Sequence, residues 1–322
     1  MTDTQNEVFK TPVNKIRLFE HGAPGSQNFK LTRKYYTEDM PDGRVKHIVQ
    51  NITDPDIVPY IPDGIGNSTD RQRIPAVLII PGGAFRRLVY NFEGEDVAKW
   101  LNSMGIAAFV LECRLPSDEH DNAEDVPLID AMRAMRVIRG RAQEFGIDEA
   151  KIGVMGFSAG GFMAALLSTA YESDVYADYK YKDEYDKLSA RPDFAVCSYP
   201  VISIDDCIEA GKRYMSEEQV LERISDSKAK ILHKYNPDKL VRPDMPPVFI
   251  CETDDDRTTL SENSVGFYMA ARKAGVSAEL HIFRTGGHGY GCGDDFAQTG
   301  EWKVLFLSLI HISEPTRLRC IS

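Results

Sequence analysis

A serine hydroxyl becomes a nucleophile when a base stands beside it and a third group orients that base. This 322-residue chain carries those residue types in a workable order. Gly156-Phe157-Ser158-Ala159-Gly160 follows the strand-like run KIGVM and opens the apolar run AGGFMAALLSTAY, which sets Ser158 at a sharp strand-to-helix turn. Glycines on either side suit a turn with no room for Cβ atoms, and the helix amino terminus favours developing negative charge. His288 stands in Thr285-Gly286-Gly287-His288-Gly289, after the strand-like run AELHIF, on a loop able to bring an imidazole to that turn. Between them Asp254, Asp255 and Asp256 end the run PVFICET. One of the three can face the histidine, and strand-end spacing alone leaves the choice open.

Acyl transfer also needs amide donors for the tetrahedral oxyanion, one after the nucleophile and one from an earlier loop. Ala159 offers the first. Pro81-Gly82-Gly83-Ala84-Phe85 follows the run AVLII and offers the second through Gly83 or Ala84. The order serine, acid, histidine is that of the α/β-hydrolase fold. His281 lies within a strand and is expected to be packed or paired there. His21, His47, His120 and His233 lie in less suitable places.

Other chemistries find no purchase. There is no HExxH, no GxxxxGK[ST] and no GxGxxG after a strand, so no metal and no cofactor are expected. The acidic run at 252–256 lacks the spaced ligands of a calcium loop. Six cysteines without a CxxC pair point to reduced thiols rather than a zinc site or a disulfide framework. With 38 basic against 49 acidic residues the net charge is −11, which disfavours nucleic acid and anionic lipid as partners. No apolar run is long enough to span a bilayer, and the start MTDTQNEVFK has neither a basic nor an apolar leader segment, so a cytoplasmic location is expected. The expected partner is a small-molecule or oligosaccharide ester; nothing sets an oligomeric state.

The elements that must position these residues follow from periodicity. At 43% hydrophobic and 27% charged the composition is that of a globular chain. Residues 1–75, rich in Pro, Gly, Asp and Asn, read as edge strands (16–19 and 45–52) and loops of the same domain. From residue 76 short apolar runs alternate with helical stretches, the pattern of βαβ units and a mostly parallel sheet with helices on both faces. Six buried strands are expected at 76–80, 107–113, 151–156, 194–200, 247–253 and 278–283. Leu128, Met132, Met135, Ile138, Ala142 and Phe145 recur every three or four residues and mark a helix packed on that sheet. Shorter helical patterns cover 96–104 and 263–274, and 215–235 reads as one or two helices in an insertion. The tyrosine-rich, charged stretch 171–191 is read as a small polar cap or rim, with its rings available to a sugar.

PGGAF, EGEDVAKWLNSMGIAAFVLECRL, RVIRGRAQEFGIDEAKIGVMGFSAGG, RPDFAVCSYPVIS, ETDDDRTTLSENS and ELHIFRTGGHGYG together resemble the α/β-hydrolase esterases grouped with acetyl xylan esterases and related carbohydrate or feruloyl esterases. The likeness spans roughly residues 10–300. It implies a triad of Ser158, Asp256 and His288, an oxyanion hole of Gly83, Ala84 and Ala159, and acetyl ester hydrolysis on xylo- or other oligosaccharides. Phe85, Arg86 and Tyr199 are the expected substrate contacts. Where the family usually shows PGGGY this chain has PGGAF, and where it shows a valine this chain has Thr259. The catalytic core is expected to end near Phe306. Leu307–Arg317 reads LSLIHISEPTR and resembles the translated sequence of a library-preparation adapter, so 307–322 are expected to be a non-native, mostly exposed tail.

Overall fold

The computed structural model describes residues 9, 13–65, 73–118, 120–225, 229–293 and 298–312. Its strands are β1 (Ile16–Arg17), β2 (Lys34–Asp39), β3 (Val45–Gln50), β4 (Asp56–Tyr60), β5 (Ile74–Ile80), β6 (Leu88–Val89) and β7 (Ala107–Glu112). They continue with β8 (Ile147–Phe157), β9 (Ala195–Ser198), β10 (Val248–Thr253) and β11 (Ala278–Phe283). Eight of them form one sheet in the order β1-β4-β7-β5-β8-β9-β10-β11. From β7 to β11 neighbouring strands run parallel, while β4 joins β7 and β1 antiparallel at the far edge. A separate three-stranded sheet, β2-β3-β6, is antiparallel throughout.

The interior strands are apolar on both faces because helices cover both. Every residue of β7, β9 and β10 is buried. The helices are α1 (Asp96–Ser103), α2 (Val126–Gly140), α3 (Ala142–Phe145), α4 (Ala159–Ala170), α5 (Ile204–Tyr214), α6 (Glu217–Ser225), α7 (Ala229–Lys234), α8 (Ser261–Lys273) and α9 (Trp302–Ile312). The long stripe from Leu128 to Phe145 is carried by two helices rather than one. Arg141 leaves helical geometry at φ −103°, ψ 16°, and α3 stops at Gly146 with φ 66°. The stripe still points inward throughout.

Three expectations change. The sixth strand, β11, is a half-exposed edge rather than a buried strand. The stretch 171–191 does not cover the carboxyl ends of the strands, where the site lies. It connects the end of α4 to the start of β9 and is held against α2: Arg133 pairs with Asp186 at 3.0 Å and with Asp183, and Arg139 donates to the carbonyls of Ser189 and, at 2.9 Å, Arg191. Tyr176 and Tyr179 of this stretch pack edge-on to Phe19 at 6.5 and 5.6 Å, while Tyr181 is exposed. The insertion on the catalytic side is instead α5–α7, which follows β9. The third change concerns the tail. Leu307 packs against the core as part of α9, whereas residues 313–322 of the expected tail lie outside the described residues.

The amino-terminal segment is tied to this core by buried polar groups. Arg114 and Asp130, both fully buried, pair at 2.6 Å, and the same guanidinium reaches Ser26 Oγ at 2.8 Å and the Pro24 carbonyl. Glu112 accepts from Lys15 and Arg33, each at 2.6 Å.

Candidate active site

The turn between β8 and α4 holds Ser158 at φ 53°, ψ −118°, a conformation that costs a non-glycine residue free energy and is sustained by its surroundings. Those surroundings explain the flanking glycines. A Cβ on Gly156 would lie 1.9 Å from the Gly160 carbonyl oxygen, and one on Gly160 would lie 2.0 Å from that of Ile80. The strand and helix therefore meet backbone to backbone, and the serine is lifted to the carboxyl edge of the sheet.

The loops after β10 and β11 meet it there. His288 Nε2 lies 2.8 Å from Ser158 Oγ, and His288 Nδ1 lies 2.6 Å from Asp256 Oδ2. A carboxylate opposite Nδ1 selects the tautomer with the proton on Nδ1, leaving Nε2 as an acceptor toward the serine. The three adjacent aspartates have separate fates. Asp256 is buried; Asp255 is exposed and accepts the Gly287 N–H at 2.8 Å; Asp254 is exposed.

Asp256 is further held by the amides of Thr258 and Thr259, which donate to Oδ1 at 2.7 and 3.0 Å. Burial pushes its carboxyl upward, but the His288 contact and these amide donors outweigh burial and leave it below the usual range. Thr259, at the position where the resembling family carries a valine, places its hydroxyl 3.0 Å from Asp256 Oδ2 and 3.2 Å from His288 Nδ1. Sequence reasoning gave that hydroxyl no role.

The loop after β5 runs alongside. Gly83, Ala84 and Phe85 all have positive φ, at 134°, 56° and 58°. Gly82 lies against the serine: a Cβ there would be 3.0 Å from Ser158 Cβ. Phe85 is buried edge-on to Phe162 at 5.5 Å, and Arg86 is exposed. Phe85, Leu88, Ala159 and Met163 line a narrow apolar cavity of about 20 Å³ beside Gly82. Tyr199 requires a correction. It is fully buried and its hydroxyl is engaged inside the protein, so it stands behind the site rather than on its accessible surface.

Two of the other histidines are engaged away from the site. His120 bonds Ser26 and the Ile52 carbonyl, and burial lowers it to about 4. His281 pairs with Glu279 at 2.6 Å, as its place in a strand led one to expect. Among the described residues no group of three or more His, Cys, Asp or Glu is placed to hold a metal ion, and no helix is long and apolar enough to cross a membrane.

A mostly parallel sheet with this turn at the end of a central strand defines an α/β-hydrolase fold. Residues 65–270 match the BD-FAE family model, and the chain belongs to that family. It is 31% identical over 223 residues to an acetylxylan esterase of Xylanibacter ruminicola, which covers 69% of this chain. The chain in turn spans 42% of that relative's length. Among solved structures it resembles an acetyl ester-xyloside bifunctional hydrolase of Caldicellulosiruptor lactoaceticus, at TM-score 0.67 and 33% identity, covering 93% of this chain and 96% of the other. A carboxylesterase of Lactobacillus plantarum, 20% identical with TM-score 0.64 over 88% of this chain and 98% of its own, shares the fold.

Proposed function

We propose that this chain is a serine carboxylic-ester hydrolase that removes short acyl groups, acetyl above all, from xylo- or other oligosaccharides. The observation that carries the reading is the relay Ser158 Oγ–His288 Nε2 at 2.8 Å and His288 Nδ1–Asp256 Oδ2 at 2.6 Å, mounted on a strained turn.

In this reading Ser158 Oγ attacks the ester carbonyl carbon as its proton passes to His288 Nε2. The amides of Ala159 and of Gly83 or Ala84 receive the oxyanion. Collapse of the tetrahedral intermediate breaks the bond to the leaving alcohol, whose oxygen takes the proton from Nε2. Water then attacks the acyl-serine, gives its proton to Nε2, and the second collapse returns that proton to Ser158 as the carboxylic acid departs. Asp256 stays ionised and stabilises the imidazolium. The cavity beside Gly82 supports a small acyl group: about one water-sized volume accommodates a methyl and little more. The carbohydrate half of the reading draws on the acetylxylan esterase and acetyl ester-xyloside hydrolase relatives.

Four substrates test it: p-nitrophenyl acetate, acetylated xylo-oligosaccharide, methyl ferulate and a proline anilide. Acetate release from the oligosaccharide with the highest kcat/KM is expected. Efficient ferulate release would move the assignment to a feruloyl esterase, and anilide cleavage to a peptidase. Octanoyl esters turned over as well as acetyl esters would overturn the small acyl pocket.

A further inference from the structure

The turn between β6 and α1 touches both loops that the proposed chemistry needs, and no part of the relay described above uses it. Residues Asn91–Glu95 form one wide helical turn in which the Glu95 N–H reaches back to the Tyr90 carbonyl at 2.8 Å. Such widened turns re-aim side chains at functional sites. Here the turn directs Glu93 inward, to 5% exposure.

Both carboxylate oxygens of Glu93 accept. Oε2 takes the Gly82 N–H at 2.8 Å, and Oε1 takes the Tyr199 hydroxyl at 2.9 Å. The Tyr199 oxygen in turn accepts the Gly291 N–H at 3.1 Å, three residues beyond His288, and the Tyr199 ring stands edge-on to the imidazole at 5.0 Å. Close approach seals the same connections. A Cβ on Gly82 would lie 2.7 Å from Glu93 Oε2, and one on Gly291 would lie 2.6 Å from the Phe92 carbonyl oxygen. Two donors aimed at two acceptor oxygens fit the ionised carboxylate.

We propose that Glu93 is a positioning residue that clamps the oxyanion loop to the histidine loop through Tyr199 and places a second buried negative charge behind the imidazolium. The inference rests on the esterase reading above. Burial raises the Glu93 carboxyl, and the charge of His288, the Tyr199 hydroxyl, the Gly82 amide and Lys46 each oppose that rise. The charged and titratable groups that act on it are His288, Tyr199 and Lys46 of β3; Glu95 and Asp96 are the other acids of its own turn and of the helix that follows.

The test compares wild type with Glu93→Gln and Tyr199→Phe, first titrating each with a fluorophosphonate that labels activated serines. A wild-type protein that takes no label and hydrolyses no ester would defeat the esterase reading itself, separately from the clamp. With labelling established, Glu93→Gln is expected to lower kcat at least tenfold per labelled site while KM changes less than threefold. Its acid limb in kcat/KM should move to lower pH, because the imidazolium loses a neighbouring negative charge. A merely structural glutamate would lower the labelled fraction or the Tm and leave that limb in place. Tyr199→Phe, which keeps the ring and breaks the link, is expected to lower kcat several-fold, and the double variant to lose no more than the worse single one. A folded Glu93→Gln with kcat within twofold of wild type and an unmoved acid limb overturns the proposal. Should Glu93→Gln fail to fold, a Tyr199→Phe protein with wild-type kcat does the same.

Discussion

At Ser158 the expected consequence of losing the hydroxyl is near-total. Ser158→Ala should lower kcat by on the order of 10⁶, since triad members act as a unit, while the protein still unfolds cooperatively at an unchanged temperature. More than a few per cent residual turnover in contaminant-free protein would remove Ser158 from the role of nucleophile. Asp256→Asn should cost about 10⁴ in kcat by favouring the wrong imidazole tautomer, and Asp254→Asn should be almost silent because Asp254 is exposed. Asp255→Asn should fall between, since Asp255 holds the Gly287 amide of the histidine loop. Steady-state kinetics on the three variants would reassign the acid if that ranking failed. The proposed nucleophile and base were legible because glycines and position between strand and helix betray them. Glu93 was not: within the sequence Glu-Gly-Glu-Asp it reads as one more solvated acid, and its burial depends on a widened turn that no hydrophobic period announces.

Among the elements, β10 carries a carboxyl that the proposed relay leaves aside. Glu252 is buried, accepts the Thr253 N–H at 2.9 Å and the Ser264 hydroxyl at 3.3 Å, and burial, reinforced by the nearby Asp256 charge, holds it well above the usual carboxylate range. A group raised on folding contributes stability that is complete below its unfolded value, about 4 for a glutamate, and declines as pH climbs toward the folded value. Glu252→Gln has no such proton to lose. Its stability relative to wild type should therefore increase as pH rises above roughly 4, which urea midpoints at successively higher pH would measure; parallel curves would refute it. Element type was readable where burial on two faces demands unbroken apolar runs, as in β5, β7 and β10. It was obscure in β2, whose KYYTED mixes charge and ring, and in β4, where Pro59 sits within a strand one place from the sheet edge. The tyrosines of 171–191 misled for a related reason. Aromatic rings among charges describe a sugar platform and a packed flank equally well, and salt bridges from α2 decide for the flank.

For the whole molecule, Arg114 and Asp130 tie the amino-terminal segment to the sheet. Arg114→Met alone strands a buried carboxylate and should cost about 3–5 kcal/mol, whereas Arg114→Met with Asp130→Leu should recover more than half of that. Chemical denaturation of the two variants distinguishes a structural lock from a surface contact, which would show neither the loss nor the recovery. The relay itself has a consequence for the living ribosome. Its serine and histidine are 130 positions apart, and at about 5–20 residues per second that separation takes roughly 7–26 s to synthesise. Throughout that interval the nascent polypeptide would hold its nucleophile without its base, chemically mute however well the earlier strands have folded. Stalled ribosome complexes should thus take up no fluorophosphonate until His288 and the Trp302 helix behind it have cleared the exit tunnel, and labelling of shorter nascent chains would show that the serine is activated by something else.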